Sequence, residues 1–273
     1  MRCIRLLAAA LAPLLLSCCA ALAEETVSLR GYDAETRSYQ YVTFGRYPYE
    51  EDGTEAPVMW RVLGRGVPGE DDVLVQKDAA AFNKEKYANG DDFTPETEDV
   101  YCLMTAHIID TVLYHDVRDE LDGPALDYQD ALIYKTLNGE ILNRLFTPEE
   151  QSVLVEMPGR GKLSPPSRKG ELFRTEYGFI AEDFTKARNR PGMGTPYAFA
   201  QGLRHVNGKY SWYWTTDWRR YGQRWIVGDD GHISVSGVDR EGGIRLVVYV
   251  HADQLNILGG DGTGENPYQL AVR

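Results

Sequence analysis

Apolar side chains at Leu132, Ile133, Leu137, Ile141 and Leu145 return at helical spacing, so this stretch predicts one amphipathic helix of about 15 residues ending near Phe146. Thr147-Pro148-Glu149-Glu150 follows, with a hydroxyl to cap a second short helix, a proline preset for its first turn and a glutamate placed to close a capping box. Ile108, Ile109, Val112 and Leu113 suit a further short helix, and 179–187 another. Elsewhere the pattern changes to that of strands. Tyr39 to Phe44 alternates, Val58 to Leu63 carries Trp60, 72–76 reads as a third strand across the turn at 64–69, and Tyr101 to Met104 is short and apolar. Residues 45–57, with Pro48, Gly53 and Pro57, read as a loop, and the polar stretch 83–99 as a surface insertion. From Tyr210 strands return. Gly228-Asp229-Asp230-Gly231 separates two β-rich runs as a hairpin turn does, and Ile244 to Val250 is so continuously apolar that both faces should be covered. Strands at both ends of the chain around central helices predict a compact α+β fold with long loops.

Residues 1–23 have the pattern of a secretory leader: Arg2 and Arg5, the apolar run Leu6 to Leu16, then Ala21-Leu22-Ala23 before Glu24. Leu15-Leu16-Ser17 before Cys18 carries the alternative of a lipid anchor at that cysteine. The expectation is an exported protein, secreted, periplasmic or on the cell surface, with a single α+β domain over 24–258 and a glycine-rich segment over 259–273 that supplies a terminal strand. No second apolar run is long enough to span a bilayer. Loss of the leader removes Cys3, Cys18 and Cys19, leaving Cys102 and no internal disulfide. With 273 residues and 43% apolar side chains, the chain buries a core without such staples. Its 29 basic residues against 41 acidic ones give a net charge of −12, which repels a polyanion. Nucleic acid is therefore not an expected partner, since Arg160, Lys162, Arg168 and Lys169, the dense basic stretch, lie among Pro and Gly in a loop.

Several landmarks occur in order: Val42-Thr43-Phe44-Gly45-Arg46-Tyr47-Pro48, Trp60-Arg61-Val62-Leu63, Leu137-Asn138 with Phe146 to Glu150, Tyr213-Trp214, and Gly243-Ile244-Arg245. In these the chain resembles domain-of-unknown-function family 6273, bacterial and commonly exported. The resemblance implies a C-type-lectin-like fold, distantly related to formylglycine-generating enzymes, and carries no assigned activity. Two departures stand out. Tyr213-Trp214-Thr215-Thr216-Asp217 replaces the family's Trp-Trp-Leu-Arg-Ser, and Leu246 takes the place of a proline. The thiols used by formylglycine-generating relatives are missing, so that chemistry does not transfer.

Trp212, Trp214, Trp218 and Trp225 fall within 14 residues that also hold Tyr213 and Tyr221, with Tyr210 just before them. Either they pack a core, or the alternate positions 210, 212 and 214 share one face of a strand that stacks a sugar ring or a partner. The candidate ligand-binding residues are Trp212, Trp214, Asp217, Trp218, Arg219 and Tyr221. Arg245, flanked by Ile244 and Leu246, needs a buried carboxylate or carbonyl partner, Asp217 being one candidate for an ion pair. Asp229 and Asp230, and Asp261 with Glu265 and Asn266, read as turn residues rather than calcium ligands. The five histidines are scattered without metal-ligand spacing, Gly-x-Ser-x-Gly is absent, and Cys102 reads as a buried small side chain. No catalytic residue, cofactor or metal is expected. The function expected is non-enzymatic binding of an extracellular glycan or surface protein; a cell-envelope hydrolase with an acidic pair and a structural module of a surface assembly are the alternatives.

Overall fold

The computed structural model describes residues 29–33, 35–65, 100–114, 131–156, 170–172, 187–206, 208–220 and 222–273. The leader, the strand at 72–76, the insertion at 83–99, the basic loop, nearly all of the helix at 179–187 and Tyr221 lie outside those residues, as do the side chains of residues 217–220. Fourteen strands are described: β1 Tyr41–Pro48, β2 Glu55–Arg65, β3 Val100–Thr105, β4 Asp110–Leu113, β5 Gly170–Leu172, β6 Gly192–Met193, β7 Tyr210–Ser211, β8 Tyr213–Arg220, β9 Gln223–Val227, β10 Ile233–Gly237, β11 Glu241–Ile244, β12 Leu246–His251, β13 Leu255–Gly259 and β14 Tyr268–Val272. The architecture is mixed α+β, mostly sheet with few helices.

Seven strands form the larger sheet in the order β13-β14-β1-β2-β3-β12-β5, and five form a second, β10-β9-β8-β11-β4. Pairing in the larger sheet is antiparallel except where β14 lies parallel to β1, Val42 opposite Tyr268. The glycine-rich closing segment is thus part of the sheet, and the expected boundary at residue 258 falls inside β13.

Strand alternation sorts the core onto the two faces of the larger sheet. Tyr101, Leu103, Leu246, Val248 and Val250 face one hydrophobic cluster, shared with Ile133, Leu137, Ile141 and Leu145. Val100, Cys102, Met104, Val247 and Tyr249 face the other, with Ala198, Leu203, Tyr213 and Val227. The run at 244–250 is covered on both sides, as its composition requires, and Cys102 is wholly buried.

The central helix is built of three consecutive segments, Leu132–Lys135 (α), Thr136–Ile141 (π) and Leu142–Leu145 (α). Its buried stripe, 133-137-141-145, repeats every fourth residue, which drifts around an α-helix of 3.6 residues per turn. The wider π segment draws the stripe back into register with the sheet. At Thr147 the capping box is complete: the hydroxyl accepts from the Glu150 amide at 3.2 Å and the Glu150 carboxylate accepts from the Thr147 amide at 2.9 Å.

Two local expectations are corrected. Residues 108–113 are not helical; 110–113 form β4, paired with β11, because Thr111 and Val112 favour extended backbone and four apolar positions were too few to fix a period. The expected loop at 45–57 shrinks to a turn, because β1 continues to Pro48 past a bulge and β2 begins at Glu55. The bulge explains Phe44-Gly45-Arg46: Gly45 has φ +69°, and a Cβ there would sit 2.6 Å from the Leu145 carbonyl oxygen. Beside it Trp60, fully buried, donates to the Phe44 carbonyl at 2.7 Å and stacks on Phe146.

Gly45→Ala should cost about 2 kcal/mol and lower Tm by roughly 4–8 °C. Gly139→Ala, in a helical position with open space around it, should leave Tm unchanged or higher. Thermal melts of the two variants against the parent check the contrast.

Candidate functional site

Among the described residues, two short crossings join the two sheets. One runs from β3 through Ala106–Ile109 into β4; the other is Arg245 alone, between β11 and β12. The Arg245 guanidinium has no exposed surface. Its Nε donates to the Thr105 carbonyl at 3.0 Å, one terminal nitrogen to the Arg190 carbonyl at 3.2 Å and to the Tyr213 hydroxyl at 3.4 Å, the other to the Ala106 carbonyl at 3.3 Å. The two crossings are also tied by main chain: the Ile109 amide donates to the Ile244 carbonyl, and the Leu246 amide to the Thr105 hydroxyl. The required partner of Arg245 therefore takes the form of carbonyls and a hydroxyl; the Asp217 side chain lies outside the described residues. Burial pulls the guanidinium pKa down to about 10, so it stays charged at neutral pH.

The aromatic cluster resolves into separate roles. Trp214 is wholly buried and donates from Nε1 to the Val112 carbonyl at 3.0 Å, so it stacks no ligand. Trp212 is half-buried, packs edge-on against Trp214 at 4.9 Å, and occupies the space a Cβ at Gly242 would need. Trp225 is buried, and Tyr213 is buried with its hydroxyl donated to the Arg190 carbonyl at 2.8 Å. The alternate positions 210, 212 and 214 do not share an open strand face: β7 ends at Ser211 and β8 starts at Tyr213. Asp217, Trp218 and Arg219 belong to β8, and the structure describes their backbone only.

Tyr210, by contrast, faces a cleft of about 390 Å³. Four other stretches of chain complete its described lining. Tyr32, Arg37, Tyr39 and Tyr41 come from the N-terminal segment and β1, Arg61 from β2, Ala106 from the first crossing, and Arg188, Asn189 and Pro191 from the 3₁₀ turn Ala187–Asn189 and the residues after it. The tyrosines Tyr32, Tyr39, Tyr41 and Tyr210 are half-buried, while Arg37 and Arg188 are exposed. Arg61 is held in place: its guanidinium lies 4.5 Å from the centre of the Tyr39 ring and donates to the Asn189 carbonyl at 3.0 Å. Tyr32 packs on the other tyrosine at 5.1 Å. The described lining contains no carboxylate. The cleft thus offers aromatic faces with three arginines, its floor laid on the same Ala106 and 189–191 backbone that Arg245 fixes from beneath.

A second, smaller cleft of about 240 Å³ is lined by Tyr47, Pro48, Tyr49, Ala56, Pro57, Val58, Met59, His107, Ile109 and Thr195. It is apolar. Burial, helped by the positive charges of Arg245 and Arg61, pulls the His107 pKa down to about 4. Asp110 nearby has its pKa raised by burial, with the exposed Glu140 adding repulsion. Both Asp110 oxygens are occupied, one by the Tyr47 hydroxyl at 2.6 Å and the other by the Thr111 amide at 2.8 Å. A carboxyl so engaged braces β1 against β4 rather than awaiting a substrate proton.

The two acidic turns are self-satisfied. Asp230 accepts from the His232 amide at 2.9 Å and Asp261 from the Thr263 amide at 2.9 Å, which lowers both pKa values. Among the described residues no group of His, Cys, Asp or Glu converges as metal ligands would, and no helix is long and apolar enough to cross a membrane. Comparison with protein-family models, with curated proteins and with solved structures finds no match, so the family resemblance rests on the ordered motifs.

Arg245→Met should destabilise the fold by about 3 kcal/mol or more, since the Thr105 and Ala106 carbonyls lose the guanidinium and the Arg190 carbonyl is left to Tyr213; urea unfolding measures it. His107 gives a pH test. Between about pH 6.5 and 4 the unfolded chain binds a proton there that the folded chain refuses, so stability falls as pH drops through this window. Replacing His107 with Gln should flatten that part of the Tm-versus-pH curve.

Proposed function

We propose that this chain is an exported, non-enzymatic binding domain of C-type-lectin-like kind, related to family 6273, and that its ligand is an extracellular glycan held in the tyrosine–arginine cleft. The leader pattern at 1–23 supports export, and the ordered motifs support the kinship. The single observation that carries the binding reading is the cleft itself: four tyrosines and three arginines from separated parts of the chain converge on one concavity. Small-ligand sites share this make-up, with aromatic faces for area and few polar groups for orientation. Tyrosine suits it because its ring stays rigid while its hydroxyl hydrogen-bonds. The volume, about 390 Å³, lies at the small end of such sites and fits a sugar unit or two rather than a protein surface. The exposed large hydrophobics among the described residues, Val206 and Leu258, make no broad apolar patch of the sort a structural module docks through.

A glycan array, followed by titration of the best ligand, tests this reading. The parent chain should be retained on at least one glycan, and Tyr210→Ala, whose side chain forms part of the wall, should weaken binding about tenfold with Tm within a few degrees of the parent. Unaltered affinity in Tyr210→Ala would remove the cleft from the function. Retention lost in Trp218→Ala instead would move the site to the far end of β8.

A further inference from the structure

Resting on the glycan reading of this cleft, we infer that the ligand is an acidic sugar, a ring bearing one carboxylate of the uronic-acid type, recognised without a metal ion. The argument is one of charge. The chain as a whole carries −12, yet the described lining of the cleft holds Arg37, Arg61 and Arg188 and neither Asp nor Glu. A neutral sugar needs no such concentration of cations. Neutral hydroxyls need acceptors as well as donors; arginines are donors only, and their planar fork matches a carboxylate with two parallel hydrogen bonds.

The arginines also differ in how they are held. Arg61 is fixed by the Tyr39 ring and the Asn189 carbonyl, so its orientation entropy is already spent before binding. Arg37 and Arg188 are exposed lining residues of the cleft, one in the N-terminal turn and one in the 3₁₀ turn Ala187–Asn189. Beneath the floor the buried Arg245 adds positive charge, its terminal nitrogen 3.3 Å from the carbonyl of the lining residue Ala106. The Arg61 guanidinium lies over the Tyr39 ring, so Tyr41 and Tyr210 are the lining rings on which the sugar ring would lie.

The same charge balance limits the ligand's length. A dense polyanion would run beyond the cleft and meet the repulsion of a chain whose net charge is −12. A ligand with one or two charges escapes this, because at physiological salt repulsion fades over about 8 Å. Short uronic-acid oligomers, or the non-reducing end of a longer chain with sparse acids, meet both conditions.

The test is calorimetric titration of the full chain, at low and at physiological salt, with three probes: galacturonic acid trimer, the neutral galactose trimer of the same linkage, and heparin as a dense polyanion. The acidic trimer should bind about tenfold or more tighter than the neutral one. Arg37→Gln and Arg188→Gln, both at exposed positions, should each weaken the acidic trimer three- to tenfold and the neutral one by less, so that the preference for the acid shrinks. Chelator should have no effect on either. Equal affinity for the acidic and neutral trimers, or a loss on chelation, overturns the acidic-sugar inference while leaving the glycan reading intact. Heparin binding tighter than the trimer overturns the limit on ligand charge and with it the inference. No binding of any trimer together with a blank glycan array overturns the glycan reading itself.

Discussion

A guanidinium with no exposed surface must find acceptors inside the protein, and Arg245 finds them at the point where two sheets meet. The chain passes from β11 to β12 through this residue alone, and the acceptors it takes, Thr105 and Ala106, sit on the only other described short passage between the sheets, from β3 to β4. One cation thereby clamps two crossings. Its third acceptor, the Arg190 carbonyl, brings in the segment that walls the cleft, and Tyr213 donates to that same carbonyl from the second sheet. Leaving such a charge without acceptors in an apolar interior costs several kcal/mol, so the arrangement is enforced rather than optional. The shape of the cleft floor follows from it.

Seen from this corner, the motifs that give the chain its family resemblance are mostly instructions for folding. Phe44-Gly45 makes a bulge that lets the helix end at Leu145 and Phe146 approach β1. Trp60 and Trp214 spend their indole donors on the main-chain carbonyls of Phe44 and Val112. Gly242 and Gly243 leave room for Trp212 and Ile108. The residues that line the cleft are largely other residues: Arg61 alone belongs to one of the motifs, and Tyr41 adjoins another. A shared fold with a variable mouth is what this division of labour permits.

Legibility in the sequence divides along the same line. The helix at 132–145, the Thr147 capping box, the hairpin around Asp229-Asp230 and the two-sided burial of 244–250 were readable because each depends on neighbours in sequence. The requirement that Arg245 find a polar partner was readable from its flanking apolar residues, while the identity of that partner was not, since carbonyls carry no side-chain signal. Residues 108–113 misled because two isoleucines, a valine and a leucine fit helix or strand equally until β11 supplies the partner. The cleft was invisible: Tyr32, Arg61, Arg188 and Tyr210 belong to four stretches brought together only by the sheets, and of these only Tyr210 stood in a conspicuous run. The density of tryptophans drew attention to 212–225, where Trp214 and Trp225 turned out to be packing.

The parallel pairing of β14 with β1 has a consequence for how the molecule is made. Val42 and Tyr268 are more than two hundred residues apart, yet they are neighbours near the middle of a sheet. Until the last strand has emerged from the ribosome, β1 exposes an unsatisfied lateral edge, and the loop that must close to cover it is nearly the whole chain. Such long-range topology makes folding slow and defers completion of this sheet until residues 268–272 have been made, leaving the nascent polypeptide in a form that chaperones can hold.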